Sequence, residues 1–241
     1  MPKVRGLFIT GTDTGVGKTY VAAALASWSR AQGINTGVMK PFATGARRIA
    51  QRLVSEDALI LQSACASKDP AAWVNPSCFR EPLAPFVAAV RARKTISLDK
   101  AVSAFYRLAE VHDFMIVEGI GGLLVPLTAR ATLADFAKRL ALPVVIVARP
   151  GLGTINHTLL TIEAARRAKL KIAGVVFNHG TPITKDPMAR IVASTSAEVI
   201  RQRGKVAIAG SLPHLHKKSA SSLSGWIAQN LNQRWLNRWV G

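Results

Sequence analysis

Gly11-Thr12-Asp13-Thr14-Gly15-Val16-Gly17-Lys18-Thr19 decides the fold of this chain. An apolar run, Gly6-Leu7-Phe8-Ile9-Thr10, precedes it, and a helix-like segment from Tyr20 to Ala26 follows. Strand, glycine-rich turn ending in Gly-Lys-Thr and helix together make a phosphate-binding P-loop. The glycines let the backbone curl so that several N–H groups point at phosphate oxygens, and the helix N-terminus adds its positive dipole end. Lys18 can then reach the β- and γ-phosphates, and the Thr19 hydroxyl can ligate Mg²⁺. One position departs from the strict pattern. Thr12 stands six residues before the lysine, where the pattern has glycine, and Gly11 lies one residue earlier.

Outward from the loop the pattern alternates strand and helix. Apolar runs read as strands at 4–10, 36–40, 113–118, 143–148, 172–177 and 206–209. Helix-like segments lie near 18–32, 56–66, 98–110, 132–140, 155–169 and 188–203, with a last one near 221–238. Phe114-Met115-Ile116-Val117 and Val144-Val145-Ile146-Val147 are continuous apolar runs, which suits a parallel sheet covered on both faces. The expectation is a single α/β domain over 1–241, P-loop NTPase-like, with a mostly parallel central sheet and helices on both sides. Residues 67–97 hold four X-Pro steps and read as a long excursion, the kind of loop that carries function in α/β domains.

Composition narrows the class. Hydrophobic residues make up 49% of 241, enough for a large core, yet no apolar run is long enough to cross a bilayer. The short apolar stretch after Lys3 and Arg5 runs straight into the P-loop and reads as a strand rather than a signal peptide. Cys65 and Cys78 show no metal-type spacing, so the expectation is a cytoplasmic protein with free thiols. Lys and Arg number 32 against 13 Asp and Glu, a net charge of +19. The basic residues are scattered in pairs such as Arg47-Arg48 and Arg166-Arg167, with no basic tract and no interleaved aromatic platform. That favours a solvated basic surface over a specific nucleic-acid site.

In open parallel sheets ligands bind beyond the C-terminal ends of the strands. There the chain carries Lys40-Pro41-Phe42-Ala43-Thr44-Gly45, Glu118-Gly119-Ile120-Gly121-Gly122, Gly153-Thr154-Ile155-Asn156-His157 and Asn178-His179. Glu118 closes an apolar strand, the form of a carboxylate that holds Mg²⁺ or its water. Asp57, by itself, reads as an ordinary acid in the first turn of a helix after Ser55, and Lys40 as an exposed strand-end lysine.

Together these segments resemble the dethiobiotin synthetase family. The residues that carry the likeness are the P-loop with its longer glycine spacing, Met39-Lys40-Pro41 with Thr44-Gly45, Ser55-Glu56-Asp57-Ala58-Leu59, Asn75-Pro76, Glu81-Pro82, Val117-Glu118-Gly119-Ile120-Gly121-Gly122 with Pro126-Leu127, Gly153 to His157, and Asn178. The likeness spans nearly all of 4–215. It implies an ATP- and Mg²⁺-dependent cyclo-ligase of biotin biosynthesis, which joins CO₂ or bicarbonate to diaminopelargonic acid and closes a ureido ring through a phosphorylated carbamate. It implies that Lys40 and Lys18 are catalytic. Thr14, Lys40, Thr44 and Asn156 would meet the diamine or its carbamate, and Thr19, Asp57 and Glu118 would position the metal. ATP would lie along Gly15, Val16, Gly17, Lys18, Thr19 and Tyr20, with Asp57, Glu118, Gly119, Ile120 and Gly121 near its phosphates. Asn178, His179, Pro213, His214 and Leu215 would surround the base. A homodimer is implied, with Asn156 reaching the partner's site, and neither nucleic acid nor a membrane is an expected partner.

Two positions depart from the family. Gly15 stands where some members carry an acid, and His179 follows Asn178 where relatives often have an acid. The rival reading is a partition or septum-positioning P-loop ATPase. Such proteins carry a second lysine early in the loop, where this chain has Asp13, and tend to end in a membrane-binding amphipathic helix.

Overall fold

The structure is a computed structural model and describes residues 4–180, 187–214 and 220–241. Along the chain, β1 (Gly6–Gly11) leads through the P-loop into α1 (Lys18–Ala31), and β2 (Thr36–Met39) follows. Three short strands come next, β3 (Phe42–Ala43), β4 (Arg47–Ile49) and β5 (Arg52–Val54). Then come α2 (Glu56–Cys65), α3 (Ala71–Val74), β6 (Ser77–Cys78), α4 (Pro85–Arg91) and α5 (Leu98–Ala109). The second half alternates β7 (Phe114–Glu118), α6 (Leu133–Leu140), β8 (Val144–Ala148), α7 (Thr154–Arg167), β9 (Ile172–Asn178), α8 (Pro187–Gly204) and β10 (Ile208–Leu212). It ends in α9 (Ala220–Asn230) and α10 (Gln233–Trp239).

Six strands form one sheet in the order β10-β9-β8-β1-β7-β2, and every pairing in it is parallel. The chain steps from β1 to β2, returns through β7, then crosses to β8 on the other side of β1. Strand order therefore reverses at β1, where the P-loop emerges, and ligands gather at such a point. The period of two along each strand sends alternate side chains to two cores. Leu7, Ile9, Ile116, Val145 and Val147 pack under α1, α2, α9 and α10. Phe8, Met115, Val117, Val144 and Ile146 pack on the other face under α5, α6, α7 and α8. Phe8, Phe105, Phe114 and Phe136 are fully buried, each contributing roughly 1.5–3 kcal/mol by burial.

The predicted elements correspond closely, with four differences. The single last helix expected over 221–238 is two. Leu231 leaves α9 to bridge Gly210, and the Asn232 side chain caps α10 by accepting from Trp235 N at 3.0 Å. The run at 206–209 pairs as β10 over Ile208–Leu212, because the register with β9 shifts at Gly210. The excursion over 67–97 is ordered by α3, β6 and α4, and β6 pairs parallel with β3. The antiparallel β4–β5 hairpin was not legible in advance; its turn uses Ala50 and Gln51 at positive φ, positions where a sequence signal would be glycine or asparagine. No helix of the described residues is long and apolar enough to cross a membrane.

Candidate active site

The P-loop closes on its own lysine. Lys18 opens α1 and is nearly buried, and its ammonium donates to the Asp13 carbonyl at 2.8 Å. Asp13 in turn accepts from Thr14 N through Oδ1 at 2.6 Å, and Thr12 N donates to the Val147 carbonyl at 2.9 Å, tying the loop to β8. The departure at position 12 has a steric reason one residue back. A Cβ on Gly11 would stand 2.7 Å from the Val16 side chain and 3.1 Å from Lys18 Nζ. Glycine is needed where the loop folds back over the lysine, and in this longer loop that place is residue 11.

Four residues from four separate segments meet beside this lysine. β2 and β7 pair with Met39 opposite Val117, so the next residues, Lys40 and Glu118, emerge side by side. Lys40 Nζ lies 2.6 Å from Glu118 Oε1 and 2.8 Å from Asp57 Oδ2. Thr19 Oγ1 lies 3.0 Å from Asp57 Oδ1 and 2.8 Å from Glu118 Oε1. Asp57 reaches the cluster from the first turn of α2, which begins where Ser55 Oγ accepts from Ala58 N. Lys40 is held from behind by the excursion: its N–H donates to Val74 O at 2.8 Å and its carbonyl accepts from Asn75 Nδ2 at 2.5 Å. Asn75, one of the residues that carry the family likeness, thus braces Lys40.

The electrostatics follow from burial and pairing. Burial works against the Lys40 charge, yet Glu118 and Asp57 outweigh it and hold the lysine above its ordinary value. For Asp57 burial is likewise overcome, here by the Lys40 charge and the hydrogen bonds from Lys40 and Thr19, so it stays ionised well into acid. Glu118 is deeper, 1% exposed, and burial pushes its carboxyl up despite Lys40. Lys18 is lowered to about 8 by burial and then by the facing charge of Lys40. Two lysines held together in a half-dry crevice make a place for a polyanion. Glu118 Oε2 is buried with no hydrogen-bond partner among the described residues. With Thr19 Oγ1 and the Asp57 carboxylate it forms a set of hard oxygen donors suited to Mg²⁺.

The remaining expected residues surround this centre in different ways. Gly15, Val16 and Gly17 lie in the loop, Tyr20 follows Thr19 in α1, and Thr14 is exposed at the loop crest. Gly119, Ile120 and Gly121 continue from β7, and the Gly119 carbonyl lies 3.2 Å from Lys40 Nζ. Thr44 directly follows β3, half-buried. Asn178 ends β9 and donates Nδ2 to the Val16 carbonyl at 2.9 Å, bracing the P-loop from a neighbouring strand. His179 contacts Ser211 Oγ at 3.1 Å through Nε2, and burial pushes its imidazole below the ordinary histidine value. The Pro213 carbonyl accepts from Trp226 Nε1 at 3.1 Å, and His214 Nδ1 lies 3.1 Å from Gly180 O. Leu215 lies outside the described residues. Asn156 is exposed in the first turn of α7 and joins the lysine cluster through no contact among the described residues.

Fold and site together define a P-loop nucleotide-binding protein of the doubly covered parallel-sheet type. Residues 5–222 match a family model described as "AAA domain". The chain is 48% identical over 198 residues to an ATP-dependent dethiobiotin synthetase BioD of Anaeromyxobacter dehalogenans, a match covering 82% of this chain and 85% of that one. It is 37% identical over 231 residues to the ATP-dependent dethiobiotin synthetase BioD of Bacillus licheniformis, covering 95% and 94%. The chain belongs to the ATP-dependent dethiobiotin synthetase family. In fold it is also similar to the MinC:MinD cell division protein complex of Aquifex aeolicus, with TM-score 0.59 and 15% identity over 98% of this chain and 95% of that one. At that identity the likeness concerns the fold alone and does not favour the septum-positioning alternative.

Proposed function

We propose that this chain is a cytoplasmic, Mg²⁺-dependent homodimer that converts diaminopelargonic acid, CO₂ and ATP into dethiobiotin, ADP and phosphate. The observation that carries the reading is Lys40, buried between Asp57 and Glu118 and sharing both carboxylates with the P-loop Thr19. The chemistry has an electrostatic obstacle. One amine of the diamine takes up CO₂ as a carbamate anion, releasing a proton, and a carbamate oxygen must then attack the γ-phosphorus of a tetra-anionic nucleotide. ADP leaves with the bridging oxygen's electron pair. The second amine attacks the carbamoyl carbon, loses a proton, and expels phosphate as the cyclic urea closes. Positive charge aimed at the meeting point of carbamate and phosphoryl lowers the barrier.

Lys18 and Lys40 supply that charge from opposite sides. Lys18, resting on Asp13 O, would turn to the β- and γ-phosphates; Lys40 would bind the carbamate and follow the transferring phosphoryl. Thr14 and Thr44 would hydrogen-bond the carbamate or the diamine end. Thr19, Asp57 and Glu118 would hold Mg²⁺, which when bound neutralises phosphate charge and acts as a Lewis acid toward them. Asn178, His179, Pro213 and His214 would line the base. Asn156, exposed on α7 between Leu152 and Leu160 in the chain, which are 94% and 57% exposed, would meet the substrate carboxylate across a dimer formed on that apolar face.

Phosphate release from ATP tests the reading. Release should require diaminopelargonic acid, bicarbonate and Mg²⁺ together, and should stop on chelation. Release that is independent of the diamine and stimulated by DNA or liposomes would replace it with the partition-type alternative.

A further inference from the structure

The P-loop site uses the C-terminal ends of the strands. Because every pairing in the six-stranded sheet is parallel, the starts of β9 and β10 lie at the opposite end. There, between those strand starts and α10, is an open cavity of about 590 Å³. Five cations line it, Arg166, Lys171, Lys205, Arg234 and Arg238, and no acidic residue does. All five are exposed, and none forms an ion pair among the described residues. Trp235 and Trp239 form the apolar wall, with Trp235 fixed by its indole N–H donating to Ala173 O at 2.8 Å.

We propose that this cavity is a second binding site, for a small anion of the nucleotide class, with phosphates on the cationic rim and the base against the indoles. Helix dipoles account for three of the cations: Arg166 and Arg238 sit in the last turns of α7 and α10, and Lys205 directly follows Gly204, the last residue of α8. Arg234 stands at the opposite end of α10, in its first turn, where a cation opposes the dipole. Lys171 directly precedes β9 and ends no helix. Trp239 also gathers like charges: Lys171 Nζ is 4.9 Å and the Arg238 guanidinium 5.2 Å from its ring centroid. Cation–π attraction of roughly 0.5–1 kcal/mol each holds these two charges near one another without neutralising them. A multiply charged anion removes the repulsion that remains. The concave shape and volume suit a small ligand more than a polymer, which would need a groove to track. Among the described residues the large exposed apolar side chains all lie elsewhere, so the cavity has none to insert into a lipid surface.

Calorimetric titration of the full chain with Mg²⁺ and β,γ-imido-ATP tests the site. Two classes of binding are expected, the tighter at the P-loop and the weaker at the cavity. Arg234→Glu with Arg238→Glu should abolish the weaker class, leaving the tighter class and diamine-dependent phosphate release unchanged. Lys205→Glu, on the wall outside α10, should weaken the same class by about tenfold or more, which guards against misfolding of α10. Pyrophosphate should bind the cavity more weakly than the nucleotide, and a ten-residue oligothymidylate no more tightly. A wild-type chain that shows no class of binding abolished by the charge reversals overturns the proposal. Equal binding of pyrophosphate removes the nucleotide assignment, and much tighter binding of the oligothymidylate makes the surface one for nucleic acid instead. Loss of the tighter class alone would count against the catalytic reading and leave this one standing.

Discussion

Asn178 Nδ2 donates to the carbonyl of Val16 across 162 residues of sequence, and the backbone between them has room for the bond only because residue 17 is glycine. Gly17 has φ +91°, and a Cβ there would fall 2.0 Å from the same Nδ2. The last strand before α8 thus holds the phosphate loop in shape. Gly17→Ala should cost about 1–3 kcal/mol in backbone strain, with a further cost for displacing Asn178. Thermal unfolding and ATP binding should both weaken. Adding Asn178→Ala should recover the steric share and leave the strain, so the two effects will not add. A Gly17→Ala chain with wild-type melting and ATP affinity would contradict the bracing.

Lys40→Gln should lower turnover by about a hundredfold or more, because charge at a developing transition state is worth several kcal/mol in a dry site. ATP binding should change little. The substitution also leaves the buried Glu118 beside Asp57 without its cation, and Glu118 should then take up a proton. Steady-state kinetics with equilibrium dialysis of ATP separates the two effects; near-normal turnover would remove Lys40 from the chemistry.

Nucleotide binding should depend on pH through Lys18. Its folded value, about 8, lies below the ordinary 10.5 because burial and Lys40 disfavour its charge. Bound phosphate restores that charge, so nucleotide affinity should fall by up to about tenfold per pH unit above that value. Binding should take up a proton in the same window. In the free chain the sign is opposite: the unfolded lysine keeps its proton more tightly, so between about 8 and 10.5 this group lets stability rise with pH. Calorimetry of ADP binding in buffers of different ionisation heat measures the uptake, and Lys18→Arg should flatten the profile. A flat wild-type profile between pH 7 and about 9 would refute it.

Assembly should fail when the exposed face of α7 is charged. Leu160→Asp should give a monomer by light scattering, with turnover reduced because Asn156 would no longer reach a second site. A monomeric wild-type chain with full turnover at assay concentration would sink the dimer.

The P-loop, the strand runs and most helices were legible in the sequence because they rest on local signals: glycine spacing, period and caps. The split between α9 and α10 was not, since it depends on Leu231 bridging Gly210 and on a cap whose acceptor, Asn232, resembles any helix-surface asparagine. Asp57 illustrates the same limit at the site. Read alone it was a first-turn acid, and only the family likeness raised it to a metal-site residue before the structure set it against Lys40 and Thr19.

The sequence by itself determined that a strand delivers a phosphate loop to a helix and that a covered parallel sheet surrounds it, because chain-local sterics and hydrophobic period dictate those features. Tertiary structure alone decided that Lys40, Asp57, Glu118 and Thr19 share one cluster, that Asn75 and Asn178 brace it, and that five cations ring a cavity at the far end. The Lys40–Glu118 contact spans 78 residues, and it forms only because β2 and β7 are neighbours in register. Such pairings are set by which strands lie side by side, and no stretch of sequence short enough to read as a motif contains both partners.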